Sequence, residues 1–152
     1  TRRLLDATSL LKIQTESTEQ NPEKLGTTID TIRERLNKEP LAKMSFSCLE
    51  RKELTETLSN NKIKNIVICG VETHVCVQQT ALELISIGYN VFIPSDAVTS
   101  RHSFDHKISL RRLECAGAII TSTESIIFEW CQTAGRKEFK DISKLVRERL
   151  ND

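Results

Sequence analysis

The sequence has 152 residues, enough for one domain with a buried core. Apolar residues make up 38% and charged residues 28%, and the formal net charge is +1. That balance gives no electrostatic basis for binding nucleic acid or an anionic membrane. No apolar run approaches the roughly 20 residues of a membrane helix, so neither a nucleic acid nor a membrane is expected as a partner. No secretory apolar segment is visible near the start. The first residue is Thr1 rather than Met, and Arg2 and Leu4 read as the inside of a helix. The expected setting is intracellular, cytoplasmic first, with a mitochondrial address left open. The five cysteines, Cys48, Cys69, Cys76, Cys115 and Cys131, are odd in number and scattered without a C-x-x-C. Reduced thiols are expected rather than a disulfide framework or a zinc ribbon.

Thr1 to Leu11 reads as the end of a helix, with Leu4, Leu5, Thr8 and Leu11 on one stripe. Ile13 to Thr18 stands where a strand should follow, although Gln14, Thr15, Glu16 and Ser17 are poor strand-core residues. Asn21-Pro22 to Gly26 is rich in turn formers. Thr28 to Leu36 is a short helix candidate broken by Pro40, Leu41 to Phe46 reads as extended, and Leu49 to Leu58 as an amphipathic helix. The clearest strand is Asn65 to Cys69, whose run Ile66-Val67-Ile68 suits a strand buried on both faces. Gly70 ends it. Val75 to Ile87 reads as a helix with Cys76, Ala81, Leu84 and Ile85 inward, closed by Gly88. Val91 to Ile93 is the next strand, followed by a helix from about Phe104 to Ala116 and a strand at Ala118 to Ile120. Thr121 and Glu124 have capping-box spacing for a helix over Ser125 to Cys131, and Lys137 to Arg149 forms a last charged helix. This alternation predicts one α/β domain over residues 1–152 with a parallel sheet. Ligands then belong at the carboxyl ends of the strands.

Chemistry concentrates in Gly70-Val71-Glu72-Thr73-His74-Val75-Cys76-Val77-Gln78-Gln79-Thr80. A buried strand ends, a tight turn follows, and Cys76 stands near the start of a helix. The helix amino terminus favours a thiolate there. Free N–H groups of the same turn can hold an oxyanion. Read alone, a cysteine on an apolar helix face is more often a packing residue. Lys43, by the same reasoning, is a surface lysine after a proline turn. His74 is either a ligand contact or a structural hydrogen-bonding group. His102 and His106 are four apart beside Asp105, which is metal-compatible spacing on a helix, but no third ligand is evident. Asp96, Ser100 and Arg101 either orient substrate or fix their loop. Trp130 and Phe128 read as helix packing, as do the four other cysteines.

Gly70 to Thr80 resembles the nucleophile segment of the isochorismatase-like cysteine hydrolases, and is closest to the animal-type isochorismatase-domain-containing proteins. The likeness extends to Thr18-Glu19-Gln20-Asn21-Pro22 with Leu25-Gly26, to Lys43 with Ser45-Phe46-Ser47, to Asp96-Ala97 with Ser100-Arg101, to Gly117-Ala118 and to Thr121 to Glu124. It implies a three-layer α/β/α sandwich with a parallel sheet. It also implies a catalytic trio of aspartate, lysine and cysteine, with Cys76 matching the nucleophile and Lys43 the lysine. Glu72, Thr73 and His74 then form the oxyanion and substrate-binding turn, with a cis peptide expected between Val71 and Glu72.

Two departures stand out. The family's aspartate lies on a first, central strand that precedes the helix with which this chain begins. No aspartate here matches it, since Asp6 lies within the helix. The segment Ile13 to Thr18 is also more polar than the family's. A shortened gene product or a clipped chain is the expected explanation, with an unpaired sheet edge at Asn65 to Cys69. The implied function is hydrolysis of a small molecule at an amide-like carbon or a vinyl ether. The alternative is a catalytically impaired member acting as an oligomeric or interaction subunit. No cofactor and no metal are expected, and a homo-oligomer is. A nucleotide-binding Rossmann reading is disfavoured because no G-x-G-x-x-G or phosphate loop follows any strand.

Overall fold

A computed structural model describes residues 1–60 and 62–148. All four strand pairings within them are parallel. β3 (Asn65–Val67), β5 (Asn90–Pro94) and β7 (Ile119–Thr121) form one sheet in that order. β1 (Thr18–Gln20) pairs with β2 (Leu41–Lys43) in a second ladder. β4 (Gly70–Val71) and β6 (Val98–Thr99) form a short third ladder just beyond the carboxyl ends of β3 and β5.

Helices cover both faces of the sheet. On one side α1 (Arg2–Leu11), α7 (Thr123–Cys131) and α8 (Phe139–Arg147) meet through Leu4, Ala7, Leu11, Ile126, Ile127, Ile142 and Leu145. On the other, α4 (Lys52–Asn60), α5 (Gln78–Ser86) and α6 (Ser103–Cys115) meet through Leu58, Ala81, Leu84 and Leu113. The central strand serves both layers by alternation: Val91 and Ile93 pack with the second group and Phe92 with the first. The result is the α/β/α architecture that the alternating elements predict. Two one-turn helices, α2 (Pro22–Leu25) and α3 (Asp30–Arg33), lie between β1 and β2.

Several local expectations are corrected. The strand expected over Asn65 to Cys69 divides at its carboxyl end: Ile68 N–H still bonds Phe92 O at 3.0 Å, but Gly70 N–H bonds Ala97 O at 2.9 Å. Gly70 makes the change of partner at φ 119°, where a side chain would be strained. The helix expected over Thr28 to Leu36 shrinks to α3, and the extended run from Leu41 stops at Lys43 because Ser45 and Phe46 fold back onto the lysine. Helix α7 is capped by Ser122, whose hydroxyl accepts from Ser125 N–H, so Thr121 belongs to β7 rather than to a capping box. The last helix runs over Phe139–Arg147, and Arg149 lies outside the described residues. Cys115 and Phe128 are both exposed, against the packing roles expected for them.

The two larger ladders do not touch edge to edge. Residues 13–17 are irregular, and a cavity of about 1170 Å³ separates β1 from β3. Asn90 N–H bonds Lys64 O, and Ile68 N–H bonds Phe92 O. The even-numbered residues of β3 therefore face β5, and the alternation of a parallel ladder aims the backbone groups of Asn65, Val67 and Cys69 into the cavity. On the far wall Leu41 N–H bonds Ser17 O and Asn21 N–H bonds Lys43 O. By the same alternation Thr18 and Gln20 present their backbone groups to the cavity.

Ile93 is fully buried at the centre of the sheet. Replacing it with Ala is expected to cost about 2–5 kcal/mol, read as a lower urea midpoint with an unchanged dependence on denaturant. A loss below about 0.5 kcal/mol, the range of surface changes, would mean that the second helical layer does not rest on β5.

Candidate active site

The strand-to-helix turn begins at Glu72 and winds as a π-helical turn over Thr73–Val77 before continuing into α5. Val77 N–H bonds Glu72 O at 3.3 Å, the wide i→i+5 spacing of such a turn, which recurs at functional sites. Cys76 thus stands in the first turn of a continuous helical run, as expected, but in a wider coil than an α-helix. The peptide bond between Val71 and Glu72 is cis. The amides at Thr73 and His74 precede the first intrahelical bonds, so the helix itself does not use them.

Lys43, the last residue of β2, is 4% exposed. Its side chain passes under the segment that follows, not into solvent as a surface lysine would. Nζ donates to Gln20 Oε1 at 2.8 Å, Ser45 O at 2.9 Å and Phe46 O at 2.8 Å, and lies 3.6 Å from Cys76 Sγ. The three acceptors are uncharged. Among the described residues no carboxylate lies within ion-pairing distance of the ammonium; Asp6 instead pairs with Arg35 at 2.8 Å. Gln20 is held at both ends of its amide, since Nε2 donates to Met44 O at 2.7 Å while Oε1 accepts from Lys43. Cys76 Sγ is 3.9 Å from the same Oε1.

The structure separates the other expected site residues from the thiol by their side-chain contacts. Glu72 accepts from Arg101 N–H at 2.9 Å and from its guanidinium at 3.1 and 2.9 Å. This hydrogen bonding holds the Glu72 carboxyl below its usual range. His74 Nδ1 lies 2.9 Å from Ser100 Oγ. Thr73 is fully buried, with Oγ1 2.9 Å from His106 Nδ1. These three side chains tie the turn to the segment after β6. His106 is thereby engaged by a hydroxyl, and His102 precedes the helix at its cap position. Asp96 accepts from Thr123 N–H at 2.7 Å and so fastens the start of α7. Burial pushes the Cys69 thiol above its ordinary range, while Cys48 Sγ sits 3.2 Å from Thr18 Oγ1.

Sequence reasoning gave no role to Gln20, although Thr18-Glu19-Gln20 was singled out. The alternation of a strand that ends beside β2 is the signal that could have found it, because Gln20 pairs in register with Lys43. Its neighbour Glu19 points to the other side and accepts from Thr28 N–H at 2.6 Å, the bond that chiefly lowers its carboxyl from the usual range.

A three-layer α/β/α domain with a lysine–cysteine pair at a strand-to-helix turn is a recognisable class, and the comparisons agree with it. The family described as "Isochorismatase domain" matches residues 1–125. "Secreted isochorismatase effector Isc1" of Phytophthora sojae is 41% identical over 99% of this chain and 74% of its own. Bovine (Bos taurus) "Isochorismatase domain-containing protein 2" is 36% identical over 96% of this chain and 71% of its own. A solved structure titled "MAR1 Ribonuclease from Caenorhabditis elegans" superposes with a TM-score of 0.92 at 37% identity, covering 99% of this chain and 78% of that one. The chain belongs to the isochorismatase family.

Because the folded Glu72 carboxyl is lowered by Arg101, the stability it contributes is present above the ordinary glutamate range and lost as pH falls through the lowered value. Comparing the parent with Glu72→Gln by thermal unfolding should give a constant gap near neutral pH that closes below the ordinary range. A gap that widens on acidification would contradict the pairing.

Proposed function

We propose that the protein is the scaffold of a small-molecule hydrolase in which Cys76 is the nucleophile and Lys43 steadies negative charge at its sulfur. The observation that carries this reading is the 3.6 Å approach of Lys43 Nζ to Cys76 Sγ, with every other partner of that buried ammonium neutral. An anion at the sulfur is the one charge placed to balance it. For an amide-like substrate, a general base takes the thiol proton and Sγ bonds to the carbonyl carbon. The oxyanion is held by turn N–H groups near Glu72 and Cys76. The carbon–nitrogen bond then breaks, the amine leaving with the proton, and water cleaves the thioester to return the free thiol.

Among the described residues, the side chains in contact with Cys76 Sγ are Lys43 and Gln20, and neither is a carboxylate that could serve as the general base. Family resemblance assigns it to an aspartate on a strand preceding α1, and the cavity between β1 and β3 suits such a strand. Backbone groups face it from both walls, and Cys76 lines it. Thr1 also lines it, so the chain enters α1 beside the same opening. We assign the complete site to three walls: β2 with Lys43, the turn with Cys76, and a carboxylate-bearing strand in the cavity. As the chain stands, Gln20 holds the position beside the pair, and its amide cannot act as a base. That favours, as a second reading, a family member impaired in catalysis unless such a strand is supplied. The near-neutral charge gives no support to an RNA substrate.

No helix among the described residues is long and apolar enough to cross a membrane. The five scattered thiols, all unbridged, support an intracellular setting.

Iodoacetamide at neutral pH should label Cys76 first of the five thiols and Cys69 last. Cys76→Ala should remove that label without loss of fold, and Lys43→Met should slow it by about tenfold, as loss of the neighbouring ammonium weakens the nucleophile. Faster labelling at Cys48 or Cys131 would defeat the nucleophile assignment.

Leu25, Ile29, Met44, Val71 and Phe104 are each more than half exposed. Apolar side chains in that number are expected to be covered by a second copy. Light scattering should show mass rising with concentration, and a constant monomer mass over a hundredfold range would refute this.

A further inference from the structure

We propose that His106 is a positioning residue for the Cys76 thiol, acting with Ser109 through the buried Thr73. The proposal rests on the reading of Cys76 as nucleophile. Thr73 begins the π-helical turn three residues before the cysteine, and none of its surface reaches solvent. Its hydroxyl and its carbonyl are both engaged by one helix. Its hydroxyl lies 2.9 Å from His106 Nδ1, and its carbonyl accepts from Ser109 Oγ at 2.9 Å. His106 and Ser109 are three apart on α6, so they share a face and grip one residue from two sides.

The carbonyl that Ser109 holds also accepts the bond from Gln78 N–H that closes the wide turn. A π-type turn is uncommon and gains little from its own hydrogen bonds. An external grip on its first residue therefore sets where Cys76 Sγ points relative to Lys43 Nζ. The flanking residues are tied to the same stretch of chain, Glu72 to Arg101 and His74 to Ser100, but those contacts are partly open to solvent. The bond from Ser109 to the Thr73 carbonyl is buried, and the contact with His106 is buried on its Thr73 side. His106 and Ser109 bond to Thr73, while Cys76 Sγ meets Lys43 and Gln20, so their effect on the thiol passes through Thr73.

The test is the rate of iodoacetamide labelling at Cys76, mapped by peptide and followed across pH. The set is the parent, Thr73→Val, His106→Leu and Ser109→Ala, with Thr73→Ser and His106→Asn as versions that keep a hydrogen-bonding atom. Glu72, His74, Arg101 and Asp105 are the other charged or titratable groups around the turn, and they are common to all six proteins. Displacing the sulfur by about 1 Å should lower the rate about tenfold or more across the pH range. Thr73→Ser and His106→Asn should restore it to within about twofold. Unfolding midpoints are read in parallel. A labelling profile in Thr73→Val and His106→Leu that matches the parent's overturns the proposal while leaving the nucleophile reading intact. Loss of cooperative unfolding in all three disruptive variants would show a purely structural contact and also overturn it. A parent in which Cys76 is not the first thiol labelled defeats the underlying reading and this proposal together.

Discussion

The site is organised around a lysine that has been taken out of water. Lys43 ends a short strand, and the next residues wrap its ammonium with the carbonyls of Ser45 and Phe46 while Gln20 closes the third side. Burying a cation among neutral groups is costly, and a unit of charge nearby relieves that cost. In the proposed reading that charge is an anion formed at Cys76 Sγ, 3.6 Å away. The register of β1 with β2, which sets Gln20 beside Lys43, and the wide turn that carries Cys76 are both arrangements of backbone that serve this contact. The packed helical layers hold them in place from either side of the sheet.

The cavity gives this arrangement its incompleteness. A parallel sheet is stable when both edges of each inner strand are paired, and among the described residues the apolar strand β3 pairs on one side, with β5. The wall opposite is β1 and the polar segment before it, where Glu16 meets Lys38 at 2.9 Å instead of packing inward. The same opening reaches Cys76. One cavity therefore borders both the edge of β3 and the thiol.

Much of the architecture was legible because it rests on periodicity. The run Ile66-Val67-Ile68 and the stripe Leu4, Leu5, Thr8, Leu11 place a strand and a covering helix without any other information, although the strand is half-buried rather than buried on both faces. Cys76 and Lys43 were legible only by resemblance, since a lone cysteine on an apolar face and a lone lysine after a proline are ordinary. What stayed hidden depends on contacts between distant segments. Gln20 acquires its role from strand register, Thr73 from a helix more than thirty residues later. The capping residue of α7 was misplaced by one because Thr121 and Ser122 offer the same hydroxyl, and only the bond to Ser125 N–H distinguishes them.

The most direct test of the account is a pair of extended chains carrying an apolar strand before residue 1, ending in Asp in one and in Asn in the other. Both are assayed for release of p-nitrophenolate from p-nitrophenyl acetate, with Cys76→Ala as the background. If the cavity admits that strand and its carboxylate serves as the base for Cys76, the Asp chain turns over faster than the Asn chain by about 10²–10⁴-fold. Equal rates in the two chains would contradict the account, because the strand would then restore the sheet without restoring the chemistry.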